Sequence, residues 1–201
     1  MTGRLAAALA PLAALLALAG CGGASHSASG TGTRTGATTA VRSSDPEAAV
    51  RAYVGAHDAY AALARGYRVV VSERVTPEFG VVAIQRGARI AAFPLQLDGT
   101  TWRVRAGGPL RVRPLGPRPG AREDVVAQAA AAIDGSGGRG VSTMWIDGAT
   151  VIPITKEFAG KVTIYSNFDP PLSKGRHSAV VFASVGHEAA AAAWTFVSTK
   201  G

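Results

Sequence analysis

The chain has 201 residues, 47% of them hydrophobic and 17% charged, with 25 glycines, 11 prolines and a formal net charge of +8. That apolar fraction is enough for a packed core and too high for a solvated, disordered chain. The single cysteine, Cys21, rules out a disulfide within the chain. The basic excess is carried mainly by Asp45–Pro114, where ten arginines stand against six acidic residues. No nucleic-acid-binding motif accompanies it, which argues against nucleic acid as a partner.

Residues 1–20 hold one charge, Arg4, then an uncharged run from Leu5 to Ala19 broken by Pro11, then Gly20. A short positive start, an apolar stretch and small residues before a cut site make a secretory signal. The run is too short and too rich in alanine for a comfortable membrane span. Leu18-Ala19-Gly20-Cys21 resembles the lipobox of bacterial lipoproteins. The resemblance implies that a diacylglycerol joins the Cys21 sulfur, that a peptidase cuts before it, and that acyl chains such as palmitate hold the mature protein on the extracytoplasmic face of the cell membrane. Two acyl chains anchor stably where one is marginal.

Residues 21–44 are mostly Gly, Ser, Thr and Ala, with only Arg34 and Arg42 charged. This is the composition of a flexible tether, with a root-mean-square reach on the order of 25 Å. About 155 residues remain, enough for one ordinary domain or two small ones.

The first folded segment is expected over 45–110. Ser44 or Asp45 can cap a helix, Pro46 suits its first turn, and Glu47 favours its positive end. Val50, Tyr53, Val54, His57, Tyr60, Ala61, Leu63 and Ala64 then recur near one face, which predicts a single helix ending near Arg65-Gly66. Strand-like runs follow at Tyr67–Val75, Phe79–Gln85, Arg89–Leu97 and Thr100–Val104, with turns at Arg86-Gly87-Ala88 and Asp98-Gly99. This reads as one helix on an antiparallel meander. Asp45-Pro46-Glu47-Ala48-Ala49-Val50-Arg51-Ala52-Tyr53, with Asp98-Gly99-Thr100-Thr101-Trp102-Arg103-Val104, is similar to cystatin-like/NTF2-like lipoprotein domains. The likeness covers about 60 residues and implies a partial version of that helix-plus-sheet fold.

The second segment is expected over 111–201, after a boundary marked by Pro114, Pro117, Pro119, Gly116 and Gly120. Val125–Ile133 reads as a strand, with a helix as the alternative for its alanines. Strands are expected at Val141–Ile146, Thr150–Thr155, Lys161–Ser166, Arg176–Ser184 and Ala190–Ser198, with Asp147-Gly148 as a hairpin turn. Met144-Trp145-Ile146-Asp147-Gly148, the run Leu172–Ala183, and Ala193-Trp194-Thr195-Phe196-Val197 resemble bacterial immunoglobulin-like domains of cell-surface proteins. The hairpin Ser184-Val185-Gly186-His187 departs from the family's usual turn. The fold class expected for the whole is therefore α+β: a helix on a meander, then an immunoglobulin-like β-sandwich. Trp145 and Trp194 are expected in the core, on facing sheets.

Catalytic and cofactor signals are weak. His26 lies in the tether, adjacent His57 and Asp58 point about 100° apart on a helix, and no two histidines have metal-ligand spacing. No nucleophile elbow, Walker loop or dinucleotide fingerprint is present, and Gly135-Ser136-Gly137-Gly138-Arg139-Gly140 leads into a strand rather than a helix. No cofactor, no metal and no enzymatic activity are expected. One pattern invites a functional reading. Arg103 and Arg105 alternate with Trp102 and Val104, and Arg111 and Arg113 with Leu110 and Val112, so that each pair shares a strand face. The simpler alternative is a solvated face; the sharper one is a basic stripe for an anionic envelope polymer or lipid headgroups. Two function classes result. One is a non-enzymatic, membrane-anchored binding module whose partner is an envelope protein or an anionic envelope polymer. The other is a small-ligand carrier or sensor with a pocket lined by Tyr53, Tyr60, Phe79 and Phe93. A filled core with an exposed edge strand favours the first, and an enclosed apolar cavity the second.

Overall fold

The computed structural model describes residues 42–135, 140–158 and 161–201. The signal, Cys21, most of the tether and Ser136–Arg139 of the glycine-rich run lie outside the described residues. The elements, in chain order, begin with β1 (Arg42–Ser43), α1 (Pro46–Ala56), α2 (Ala61–Ala64), β2 (Arg68–Arg74), β3 (Phe79–Arg86), β4 (Arg89–Asp98) and β5 (Thr101–Val104). They continue with β6 (Arg111–Gly116), β7 (Arg122–Glu123), β8 (Gln128–Asp134), β9 (Val141–Ile146), β10 (Ala149–Val151), β11 (Ile154–Phe158), β12 (Lys161–Asn167), β13 (Gly175–Val185) and β14 (Glu188–Ser198). Most of the described chain is therefore strand, and Gln128–Asp134 is strand rather than helix.

Helix α1 starts as its sequence dictates. Asp45 caps it, its Oδ1 accepting from the Glu47 N–H at 2.9 Å, and Pro46 occupies the first turn. The single long helix expected to reach Arg65 does not form. His57 turns extended (φ −125°), and its ring Nδ1 takes the Tyr53 carbonyl at 2.7 Å, the acceptor its backbone N–H would use in a continuing helix. A 3-10 turn over Asp58–Tyr60 and the short α2 complete the segment.

The strands make three sheets, ordered β1-β5-β4-β3-β2, β10-β9-β13-β14-β7 and β11-β12-β8-β6. All neighbours are antiparallel except β7 on β14. Three apolar clusters stack them in order. Ala49, Val50 and Val54 of α1 pack on Val82, Ile84, Phe93, Leu95 and Trp102 of the first sheet. The opposite face of that sheet, through Val71, Phe79, Val81 and Ala83, meets Trp145, Val180 and Phe182 of the second. The far face of the second, through Met144, Ala179, Val181, Trp194 and Phe196, meets Ala129, Ala131, Ile133 and Ile164 of the third. Four layers result, and the second sheet is covered on both sides.

Several expectations change on this frame. Trp145 and Trp194 are both core residues, 1% and 2% exposed, but they belong to the same sheet and point to opposite faces of it. The run Thr150–Thr155 is not one strand. The chain leaves β10 in the second sheet at Ile152-Pro153 and enters β11 in the third, because Pro153 has no N–H to continue a ladder. The departing hairpin pairs Val185 with Glu188 across Gly186-His187, so β13 and β14 keep an unbroken register from Gly175↔Ser198.

The β9–β10 turn is held against the first sheet. Asp147 and Gly148 both have positive φ (53° and 84°), as a type I′ hairpin requires. A Cβ on Gly148 would stand 2.6 Å from the carbonyl oxygen of Val70, where β2 bulges. Gly148→Ala is therefore expected to destabilise the fold by about 1–3 kcal/mol, from combined backbone strain and steric conflict. Thermal unfolding of the variant, with an unchanged midpoint as the contrary result, checks this.

Candidate functional site

Three places hold enough chemistry to consider. The first is a cleft of about 250 Å³ beside the end of α1, lined by Tyr53, Tyr60, Phe93, Pro94, Arg105 and Arg111 among others. Its rings pack on one another: Tyr53 stacks on His57 at 3.9 Å between centroids, and Tyr60 meets Phe93 edge-on at 5.1 Å. Burial, and secondarily the neighbouring Tyr60, push the Tyr53 phenol above its usual range. Phe79, expected in the same pocket, is on the other face of β3, inside the core between the first two sheets. Period-two alternation along β3 accounts for this, since Val82 and Ile84 take the helix-facing positions.

The second is the start of β13 beside the β9–β10 turn, around His177, which is 7% exposed. Its Nδ1 lies 2.7 Å from Asp147 Oδ2, and its Nε2 lies 2.8 Å from the Ser173 carbonyl oxygen. Ser178 donates its backbone N–H (2.8 Å) and its hydroxyl (3.3 Å) to Asp147 Oδ1. The residue types are those of a nucleophile triad, but the geometry is not. Both ring nitrogens face acceptors, so no lone pair is left to take a proton from Ser178. Two N–H groups exist only on the imidazolium, so the ring is a buried cation held by Asp147. Burial works against that charge, and the hydrogen bonds to Asp147 and Ser173 outweigh it, so the pKa is raised overall.

The third is the outer face of the third sheet. The pairings Ile154↔Tyr165, Lys156↔Thr163 and Phe158↔Lys161 put these six residues on one side, away from the core-facing Val162, Ile164 and Ser166. Ala130 and Ala132 of β8, and Arg111, Arg113 and Leu115 of β6, continue the same side. A shallow groove of about 620 Å³ runs over Leu115, Ala130, Lys156, Phe158, Lys161 and Tyr165. Lys156 sits 5.2 Å above the Tyr165 ring. Phe158 is 84% exposed, and every residue of the edge strand β11 is exposed.

No family model matches this chain, and no curated protein matches it.

The four arginines singled out from the sequence do not form one stripe. Arg103 and Arg105 belong to the first sheet and the segment after it, where Arg103 donates to Gln96 Oε1 at 2.9 Å and Arg105 pairs with Glu188 of β14 at 3.4 Å. That second contact ties two layers together. Arg111 and Arg113 belong to the third sheet; Arg111 donates to the Gly108 carbonyl, and Arg113 pairs with Asp134 at 3.6 Å with more than half its side chain exposed. The missed members of the basic face are Lys156 and Lys161. The signal that could have found them is the alternation Ile154-Lys156-Phe158, hidden when Thr150–Thr155 is read as one strand. Among the described residues, no three of His, Cys, Asp or Glu gather as a metal-binding group.

Proposed function

We propose that this protein is an exported lipoprotein, anchored by lipid on Cys21 to the extracytoplasmic face of the cell membrane, that acts as a non-enzymatic binding module of the envelope. The observation that carries the binding reading is the outer face of the third sheet, basic and apolar together, which nothing covers among the described residues, whereas they cover the other sheet faces. The interior is filled by three apolar clusters, and the edge strand β11 is exposed throughout. Pro153 and Lys156 blunt that edge against strand pairing, so the side-chain face rather than the backbone edge is what a partner meets. The carrier reading has less support, because the cleft beside α1 is open, its rings pack on one another and Arg105 is already paired with Glu188. The pair of sheets over one core, antiparallel but for β7 on β14, supports reading 111–201 as an immunoglobulin-like sandwich, and α1 on β2–β5 supports a partial cystatin/NTF2-like unit at 45–110.

Among the described residues no helix is long and apolar enough to cross a membrane, and the anchoring reading rests on the lipobox alone. Cys21→Ser is expected to abolish incorporation of a palmitate analogue and to release the protein from the membrane fraction. A serine variant that still takes up the label would overturn the anchor. For the binding surface, a photo-reactive residue at Thr163 is expected to give cross-linked products on intact cells, and one at Ala52 on α1 is not. Equal cross-linking at both positions would overturn it.

A further inference from the structure

The outer face of the third sheet has an unusual distribution of chemistry. Its cations stand toward the rim, Arg113 on the edge strand β6, Lys156 on the edge strand β11 and Lys161 at the first residue of β12, while Arg111 of the same β6 row turns its guanidinium to the Gly108 carbonyl; Asp134 is the one acidic residue in these outward rows. Its middle is Thr163 and Tyr165 of β12, with Lys156 folded over the Tyr165 ring, and the small Ala130 and Ala132 of β8. Apart from the partly buried Tyr165, its large apolar groups are marginal: Leu115 is 41% exposed, Ile154 44% and Phe158 84%, and Ile152, in the crossing just before β11, is 91% exposed.

A protein partner is usually gripped the other way round, by large desolvated anchors at the centre and polar groups at the rim. Cations and apolar tips together on the margins of a broad face suit a plane of anionic headgroups, where lysine and arginine meet phosphate while the tips enter the acyl boundary. We propose that this face lies against the anionic surface of the bilayer that carries the Cys21 lipid. The proposal rests on the anchored binding-module reading and names its partner.

The test uses the lipidated full chain in phosphatidylcholine vesicles with and without phosphatidylglycerol, some of the lipid carrying brominated acyl chains. A bimane label on Phe158→Cys keeps an apolar ring at that position, and a label on Ala52→Cys reports the opposite layer. The label at position 158 is expected to be quenched in phosphatidylglycerol vesicles, and the label at position 52 is not. Each of Arg113→Gln, Lys156→Gln and Lys161→Gln should lower the docked-to-undocked ratio about fivefold. Equal quenching at positions 158 and 52 in vesicles that retain the protein would overturn the docking and leave the anchor intact. A chain that leaves both kinds of vesicle would overturn the anchor instead. Cross-links from this face to an envelope protein or an anionic polymer, without quenching, would replace the bilayer as occupant and keep the binding surface.

Discussion

Trp145→Ala is expected to lower the unfolding free energy by about 3–5 kcal/mol, the cost of emptying a fully packed aromatic site. Trp145 is 1% exposed and lies between the first and second sheets with Phe79, Val180 and Phe182. Its indole N–H donates to Glu73 Oε2 on β2 at 2.7 Å, a polar link across the same interface. Truncation removes both the ring and the link, and the β-sheets on either side are too rigid to close over the space. Glu73→Ala separates the two contributions: it leaves the ring in place and its N–H without an acceptor, at an expected cost of about 1–3 kcal/mol. Denaturant unfolding followed by tryptophan fluorescence and by far-UV dichroism gives the measurement. Because the interface joins layers from both halves of the sequence, wild type and variants are expected to unfold in one transition by both probes. Two separated transitions in the wild type would contradict the four-layer core as a single cooperative unit.

The second large effect belongs to the His177–Asp147 pair. The folded state holds His177 as an imidazolium with a raised pKa, whereas the unfolded chain titrates at the ordinary value of 6.5. Stability from this pair is therefore fully present below that value and declines as pH rises through the higher folded-state pKa. The expected record is an unfolding free energy that falls as pH rises above 6.5, and a profile that stays flat above that value would refute the charged ring. Asp147→Asn should remove the slope while keeping the fold. The amide can donate to Nδ1, the Nε2–H keeps the Ser173 carbonyl, and asparagine tolerates the left-handed backbone at φ 53°. Asp147→Ala strips the imidazolium and the Ser178 N–H of their acceptor and puts alanine at that φ. A loss of about 1–3 kcal/mol for each unsatisfied group is expected, toward the lower end because Asp147 is half exposed to water.

The strands were legible because their signals are local. Asp98-Gly99 and Asp147-Gly148 mark hairpins that form where their φ angles require glycine, and period-two runs on either side fixed β3, β4, β9 and β12 to within a residue or two. The layering was not legible from alternation. In Val81-Val82-Ala83-Ile84 and Val180-Val181-Phe182-Ala183 every residue is buried, because successive side chains enter different cores. Such unbroken apolar runs are the mark of strands covered on both faces, and they carried the information that the two segments share an interface. The break at His57 depends on a ring–carbonyl contact that spacing alone does not disclose. The basic face was half legible: Arg111 and Arg113 were found, whereas Lys156 and Lys161 join them only through the strand order β11-β12-β8-β6.

The doubly covered sheet also sets an order of events during synthesis. Its two longest strands, Gly175–Val185 and Glu188–Ser198, follow in the chain every layer they cover. While a ribosome delivers the chain from its N-terminus, Phe79, Val81 and Ala83 on one side and Ala129, Ala131 and Ile133 on the other wait with only Trp145 and Met144 of β9 to meet them. A nascent chain stalled before residue 175 would carry two largely uncovered greasy surfaces at once, and a holding chaperone would find its footing there.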